Sequence, residues 1–180
     1  MSEMNELIQN DTLYLPKGSL LVVAGASGAG KSTMLHRIME DHQVVSADRF
    51  RGMLSGDEGD QSVTPQAWRL ANQLIQDRLL LGQTTAVDSL ALQERARRSL
   101  LEMAGKARTT AHFLMLWTPL DECLDGQLQR ERQVPPAVVE KMVEQAHGLR
   151  EDLLGGKLFQ EGFQSVALID RAQASRLSLG

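Results

Sequence analysis

Apolar residues along the chain fall into two patterns. Short continuous apolar runs appear at Leu20-Leu21-Val22-Val23-Ala24, Val44-Val45-Ser46, Thr84-Thr85-Ala86-Val87, Ala111 to Trp117 and Ser165 to Ile169. Runs of this length and branching read as strands buried on both faces. Between them apolar residues recur three or four positions apart: Met34, Leu35, Ile38 and Met39; Trp68, Ala71, Leu74, Ile75 and Leu79; Leu92, Ala96, Leu100 and Met103; Val138, Val139, Met142, Val143 and Ala146. That is the spacing of an amphipathic helix. Strands alternating with helices predict an α/β fold, a central parallel sheet of about five strands with helices on both faces.

Turn residues divide the pattern further. Pro16-Lys17-Gly18 closes an N-terminal segment, residues 1–17. Residues 52–63 are rich in Gly, Asp, Glu and Ser and read as a loop. Thr64-Pro65 marks a helix start, with Thr64 as N-cap and Pro65 at the first helical position. Gly82, Gly105 and Gly155-Gly156 are helix stops. Leu120 to Leu128 reads as helical, and the polar stretch that follows, ending in Pro135-Pro136, reads as a flap; a small lid is expected over about residues 126–136. No repeat or linker interrupts the pattern, so residues 1–180 are expected to form a single domain.

Composition narrows the classes. Hydrophobic residues make up 42%, and no apolar run approaches the length a membrane span needs. No membrane partner is expected. Cys123 is the lone cysteine, so no internal disulfide forms, and it reads as a small buried residue. The opening residues, polar and acidic, resemble neither a secretory signal nor a transit peptide. A cytoplasmic location is the expectation. The four histidines lack metal-ligand spacing. A formal net charge of −4 argues against coating nucleic acid by bulk electrostatics, but leaves room for an enzyme that grips a strand end with a few arginines.

One stretch carries explicit chemistry. Gly25-Ala26-Ser27-Gly28-Ala29-Gly30-Lys31-Ser32 fits the phosphate-loop pattern G-x-x-x-x-G-K-[ST], with a strand before it and a helix after it. Its backbone N–H groups and the helix N-terminus favour a phosphate. The residues expected on the nucleotide are Gly25, Ser27, Gly28, Ala29, Gly30, Lys31, Ser32 and Thr33. Lys31 reaches the outer phosphates and Ser32 holds Mg²⁺, so ATP and Mg²⁺ are the expected cofactors.

In a parallel sheet, ligands sit beyond the carboxyl ends of the strands. The second strand delivers Ser46, Asp48 and Arg51, the third delivers Asp88, and the fourth leads towards Arg130 and Arg132. Asp48 is either a general base for an attacking hydroxyl or a helix cap. Arg51, three residues on, either faces an acceptor phosphate or lies on the surface. Asp88 supports the magnesium, positions the acceptor or Arg51, or caps the next helix. Arg95, Arg97 and Arg98 form a basic cluster in which Arg97 is the candidate for acceptor binding. Arg130 and Arg132 are either lid arginines that neutralise charge on a transferred phosphoryl group or ordinary loop charges. Trp68 and Trp117 read as core residues rather than base-stacking platforms.

Taken together, the phosphate loop through Thr33, Ser46-Ala47-Asp48-Arg49-Phe50-Arg51-Gly52, Asp57 to Thr64, Arg78-Leu79 through Val87-Asp88, Ala96-Arg97, Arg130 to Val134 and Glu161-Gly162-Phe163 resemble the polynucleotide 5′-hydroxyl kinase module. The likeness is greatest to the kinase domain of bacterial polynucleotide kinase-phosphatases. The resemblance runs over roughly residues 18 to 170. It implies a P-loop kinase fold and transfer of the γ-phosphate of ATP to a 5′-OH end of RNA or DNA, in RNA or DNA repair. It implies Lys31, Asp48 and Arg130 as catalytic residues, Arg132 on the nucleotide, and Arg51, Asp88 and Arg97 at the acceptor. It implies nucleic acid with a 5′-OH end as partner, and a homo-oligomer, as related modules often form. The chain departs from the family pattern at Asp88-Ser89-Leu90-Ala91, where the family has Asp-x-Thr-Asn, and at Gly126-Gln127, where it has Arg-Asn. The alternative is a small-molecule P-loop kinase acting on a sugar, an antibiotic or a nucleotide-sugar.

Overall fold

The computed structural model describes residues 7–130 and 133–180. In chain order these form β1 (Ile8–Gln9), β2 (Thr12–Leu13), β3 (Leu20–Ala24), α1 (Lys31–Ile38), β4 (Val44–Ser46), α2 (Ala47–Ser55), α3 (Thr64–Leu80), β5 (Thr85–Asp88), α4 (Glu94–Lys106), β6 (Ala111–Leu116), α5 (Leu120–Leu128), α6 (Pro136–Leu154), α7 (Lys157–Glu161), β7 (Ser165–Ile169), α8 (Arg171–Arg176) and β8 (Ser178–Leu179). Five strands make one parallel sheet in the order β4-β5-β3-β6-β7.

β3 sits at the centre because every residue in it is apolar and buried. Its side chains alternate between two cores. Leu20, Val22 and Ala24 pack with Ala71, Ile75 and Leu79 of α3, Leu100 and Met103 of α4, and Leu149 and Leu153 of α6. Leu21 and Val23 pack with Met34 and Leu35 of α1, Cys123 of α5 and Ala174 of α8. The chain leaves β3 first towards β5 and β4, then returns across it to β6 and β7. That reversal opens a crevice at the carboxyl end of β3, where the phosphate loop lies.

The structure corrects four expectations about elements. Residues 52–55 are helical rather than looped, because the stop is Gly56, at φ 79 in the left-handed region, and not Gly52. Thr64 lies inside α3, whose N-cap is Val63, because a 3₁₀ turn over Gln61–Val63 runs straight into the helix. Gly105 lies within α4, which ends at Lys106 with Ala107 as its C-cap. The N-terminal segment holds β1 and β2, and β2 pairs in parallel with β8 to form a second, three-stranded sheet. Among the described residues no helix is long and apolar enough to cross a membrane.

Candidate active site

The phosphate loop leaves β3 and is fixed from below. The Gly25 N–H donates to the Leu90 carbonyl at 3.3 Å, tying the loop to the segment after β5. Lys31 opens α1 with its side chain buried and its Nζ donating to the Ala26 carbonyl at 3.0 Å. Burial pushes the Lys31 ammonium below its ordinary range. Asp88 opposes that shift, Arg130 reinforces it, and Asp48 opposes it again, so all three lie within electrostatic reach of Lys31.

Asp88 ends β5 and directs its carboxylate at Ser32, whose hydroxyl donates to Oδ2 at 2.5 Å. A hydroxyl and a carboxylate converging beside the phosphate loop form a hard-oxygen pair, the donor chemistry Mg²⁺ selects. The residues present therefore fit a magnesium ion, held by Ser32 and Asp88. Of the roles open to Asp88 in sequence, its hydrogen bond to the phosphate-loop serine favours support of the magnesium.

The neighbouring strand supplies the open side of the crevice. Ser46 pairs in register with Asp88 and caps α2, its hydroxyl accepting from the Asp48 N–H at 3.2 Å. Ser46 is thus the cap, and the Asp48 carboxylate stays free of that duty. Its side chain is 60% exposed. Arg51, one turn on, is buried; its Nη2 donates to Asp48 Oδ1 at 2.6 Å and its Nε to the Glu58 carbonyl at 2.6 Å. The pair is thus oriented by the backbone of the segment after α2.

The other wall is α5. Gly126 approaches the phosphate loop so closely that a Cβ there would meet the Gly28 carbonyl oxygen. A Cβ on Gly28, at φ 84, would in turn meet the Cys123 carbonyl oxygen. Gln127 is buried, with its amide Nε2 donating to Ser27 Oγ at 2.9 Å and its Oε1 accepting from the Val134 N–H at 3.0 Å. Arg130 is exposed above the loop, its Nη1 3.4 Å from Ser27 Oγ. Arg132 lies outside the described residues. Cys123 is fully buried and burial pushes its thiol up, as a packing residue.

Two arginines depart from the expectation. Arg97 does not reach the crevice. It is 1% exposed and forms two parallel hydrogen bonds to Glu161, Nε to Oε2 at 2.8 Å and Nη2 to Oε1 at 2.7 Å, while Nη1 donates to the Ala91 carbonyl at 3.0 Å. It is an internal brace behind the segment after β5, so its acceptor-binding assignment is withdrawn. Arg171 was not singled out from sequence, yet its Nη2 donates to the Gly28 carbonyl at 2.6 Å, and Glu122 lies 3.7 Å from its Nε. It stands two residues beyond the end of β7, so the strand-end rule, carried to the last strand, points to it.

Beside the loop, on the α1 and α8 side, lies a cavity of about 540 Å³ lined by Met34, Leu116, Arg130, Arg171 and Ser175. Its apolar walls and basic rim suit the nucleoside end of a nucleotide whose phosphates occupy the loop.

Comparison with known proteins agrees with this arrangement. Residues 20–150 match a family model described as an AAA domain. The fold is similar to that of a chain from the Pnkp1/Rnl/Hen1 RNA repair complex, with TM-score 0.60 and 22% identity over 79% of this chain and 48% of that one. It is similar to a gluconokinase from Sinorhizobium meliloti 1021, with TM-score 0.57 and 21% identity over 91% of this chain and 89% of that one. It is also similar to a putative kinase from Chloroflexus aurantiacus J-10-fl, with TM-score 0.61 and 17% identity over 84% of each. A multidrug resistance protein of Leishmania tarentolae is 40% identical over 63 residues, which are 35% of this chain and 4% of that protein. The chain thus spans under half of the RNA-repair chain and a small fraction of the multidrug resistance protein. The sheet order, the phosphate loop and the Ser32–Asp88 pair make this a P-loop kinase-like fold, and the chain belongs to the AAA domain family.

Proposed function

We propose that this chain is an ATP-dependent polynucleotide 5′-kinase acting in nucleic-acid repair. The observation that carries this reading is the exposed Asp48 carboxylate, held by Arg51 in the first turns of α2, just beyond the strand that pairs with Asp88. A protein that only senses a nucleotide has no use for a carboxylate on the open side of its phosphate loop.

The roles follow from position. Backbone N–H groups of Gly28, Ala29 and Gly30 and the Lys31 ammonium hold the β- and γ-phosphates. Gly25, Ser27 and Thr33 complete the nucleotide contacts, with Arg132 added from the flap. Mg²⁺, when bound by Ser32 and Asp88, neutralises charge on the outer phosphates. Asp48 accepts the proton of the attacking 5′-hydroxyl as its oxygen bonds to the γ-phosphorus and the β–γ bridging bond breaks, with ADP leaving. Arg51 steadies Asp48 and offers its remaining guanidinium N–H groups to the acceptor's phosphate. Arg130 covers the charge on the equatorial oxygens, and Arg171, bonded to the Gly28 carbonyl, adds positive potential from the other side.

Asp48→Asn is expected to lower transfer of labelled γ-phosphate to a 5′-OH oligonucleotide by about 10²- to 10⁴-fold while ATP binding survives. Transfer near the wild-type rate would overturn the general-base assignment.

A second reading, phosphorylation of a small hydroxylated metabolite, is favoured by the span of the gluconokinase likeness, 89% of that chain, and by the net charge of −4. Offering labelled ATP with an oligonucleotide and with a panel of sugars decides between them. Label on a sugar and none on the oligonucleotide establishes the second.

A further inference from the structure

A second cavity, of about 640 Å³, opens between α3, α4 and α6, and its wall begins at Ser89, the residue after Asp88. Leu90 is in that wall, and its carbonyl accepts the hydrogen bond from the Gly25 N–H. The cavity and the phosphate site therefore share one short segment of chain. Its lining combines the half-buried Trp68 indole and the aliphatic Leu90 and Leu92 with the amides of Asn72 and Gln145 and the guanidinium of Arg95. Among the described residues no carboxylate lines it. Ser89, Gln93 and Ser99 add further polar groups, but the exposed wall is mostly apolar, a poorer match to a sugar that presents hydroxyls on every side. A flat heteroaromatic ring with hydrogen-bonding edges and a neighbouring anion matches each of these groups.

The wall is also held in a strained shape. Ala91 sits at φ 45, a left-handed conformation costly for a residue with a Cβ, and Arg97 fixes its carbonyl from behind. The brace that removed Arg97 from the acceptor site thus shapes this cavity.

We propose that the cavity receives the base of the acceptor's 5′-terminal nucleoside, stacked on Trp68, an assignment that rests on the polynucleotide reading. Trp68 and Trp117 are the two tryptophans, so in a Trp117→Phe background Trp68 fluorescence reports on the cavity directly. A 5′-OH oligonucleotide is expected to quench it saturably, and the same oligonucleotide abasic at its 5′-terminal position is expected not to. In the otherwise unaltered protein, the abasic end is expected to raise KM about tenfold with kcat little changed, the size of one lost base–aromatic stack. Trp68→Leu, which keeps the apolar packing, is expected to erase the difference between the two ends, and Trp68→Phe to preserve it. Equal KM for both ends, or a Trp68→Leu protein that still discriminates, would overturn the proposal while leaving kinase activity intact. If neither end is phosphorylated, the polynucleotide reading fails, and the quenching decides the cavity on its own: base-dependent quenching supports it and base-independent or absent quenching overturns it.

Discussion

Arg97 illustrates how little a charged side chain announces about its place. It lies in the run Arg95-Ala96-Arg97-Arg98, which in sequence is a basic helix face. In the fold Arg98 pairs with Glu94 near solvent at 2.8 Å, Arg95 lines the second cavity, and Arg97 turns inward to Glu161. The last pair is desolvated on both sides, with side-chain exposures of 2% and 9%. Such a pair adds little net stability over an apolar replacement, but removing one partner strands the other as a buried charge. Arg97→Ala is therefore expected to destabilise the protein by about 3–5 kcal/mol, read from the denaturant midpoint. Glu161→Ala is expected to cost a similar amount, and the double substitution less than the sum, because the two share one interaction. Asp88 shows the converse. Its place at the end of an apolar strand and a tie to the magnesium that Ser32 would hold were legible, but the direct bond to Ser32 was not, because Ser32 is 56 positions away and the pairing of β3 with β5 brings them together.

At the scale of elements, the contact between α5 and the phosphate loop governs the site. Gly126 and Gly28 touch backbone to backbone, and Gln127 bridges Ser27 to the start of the chain beyond the flap. In this backbone position 126 has no room for a side chain. A side chain at position 126 would collide with the Gly28 carbonyl, and the space beside it is taken by the Arg171 guanidinium. Gly126→Ala is expected to displace the loop, weakening ATP binding about tenfold or more and costing about 1–3 kcal/mol of stability, as overpacking does. Calorimetric titration with ATP and thermal unfolding check the two effects. Elements whose signal is local were legible in sequence. β3, β4, β5, β6 and β7 are apolar on both faces, and α1 and α3 carry clear helical spacing. Gly52 and Gly56 near the end of α2, and Gly105 near the end of α4, look alike in sequence, which could not say which of them ends a helix, because that depends on φ: of the three only Gly56 is left-handed. β1, β2 and β8 are two residues each and depend on pairing between distant ends of the chain. α8 and its Arg171 went unseen because six residues carry too little periodicity to register.

Across the whole molecule the sheet separates chemistry from support. The carboxyl ends of its strands carry the phosphate loop, Asp48, Asp88 and, beyond β7, Arg171. The opposite edge carries a buried polar cluster at the start of β6 and β7. His112 is 4% exposed, with its Nδ1 2.6 Å from Ser165 Oγ and its Nε2 2.9 Å from Thr110 Oγ1. Both partners are hydroxyls, each able to donate or accept, so the neutral ring is satisfied in either tautomer. Neither partner carries a negative charge to stabilise an imidazolium, and burial pushes the His112 pKa below its usual value. In the unfolded chain the same ring titrates near its ordinary value of about 6.5. Below that pH the unfolded state binds a proton that the native state resists, so this contribution to stability is present above about pH 6.5 and is lost as pH falls towards the native pKa. The denaturant midpoint is therefore expected to fall between pH 7.5 and pH 5.5. His112→Gln, which keeps hydrogen bonding but cannot titrate, is expected to flatten that slope relative to the unaltered protein. Because the cluster lies at the far edge of the sheet from Asp48, the same substitution is expected to leave the pH profile of the proposed phosphate transfer unchanged. A slope that persists undiminished in His112→Gln would place the pH sensitivity elsewhere in the fold.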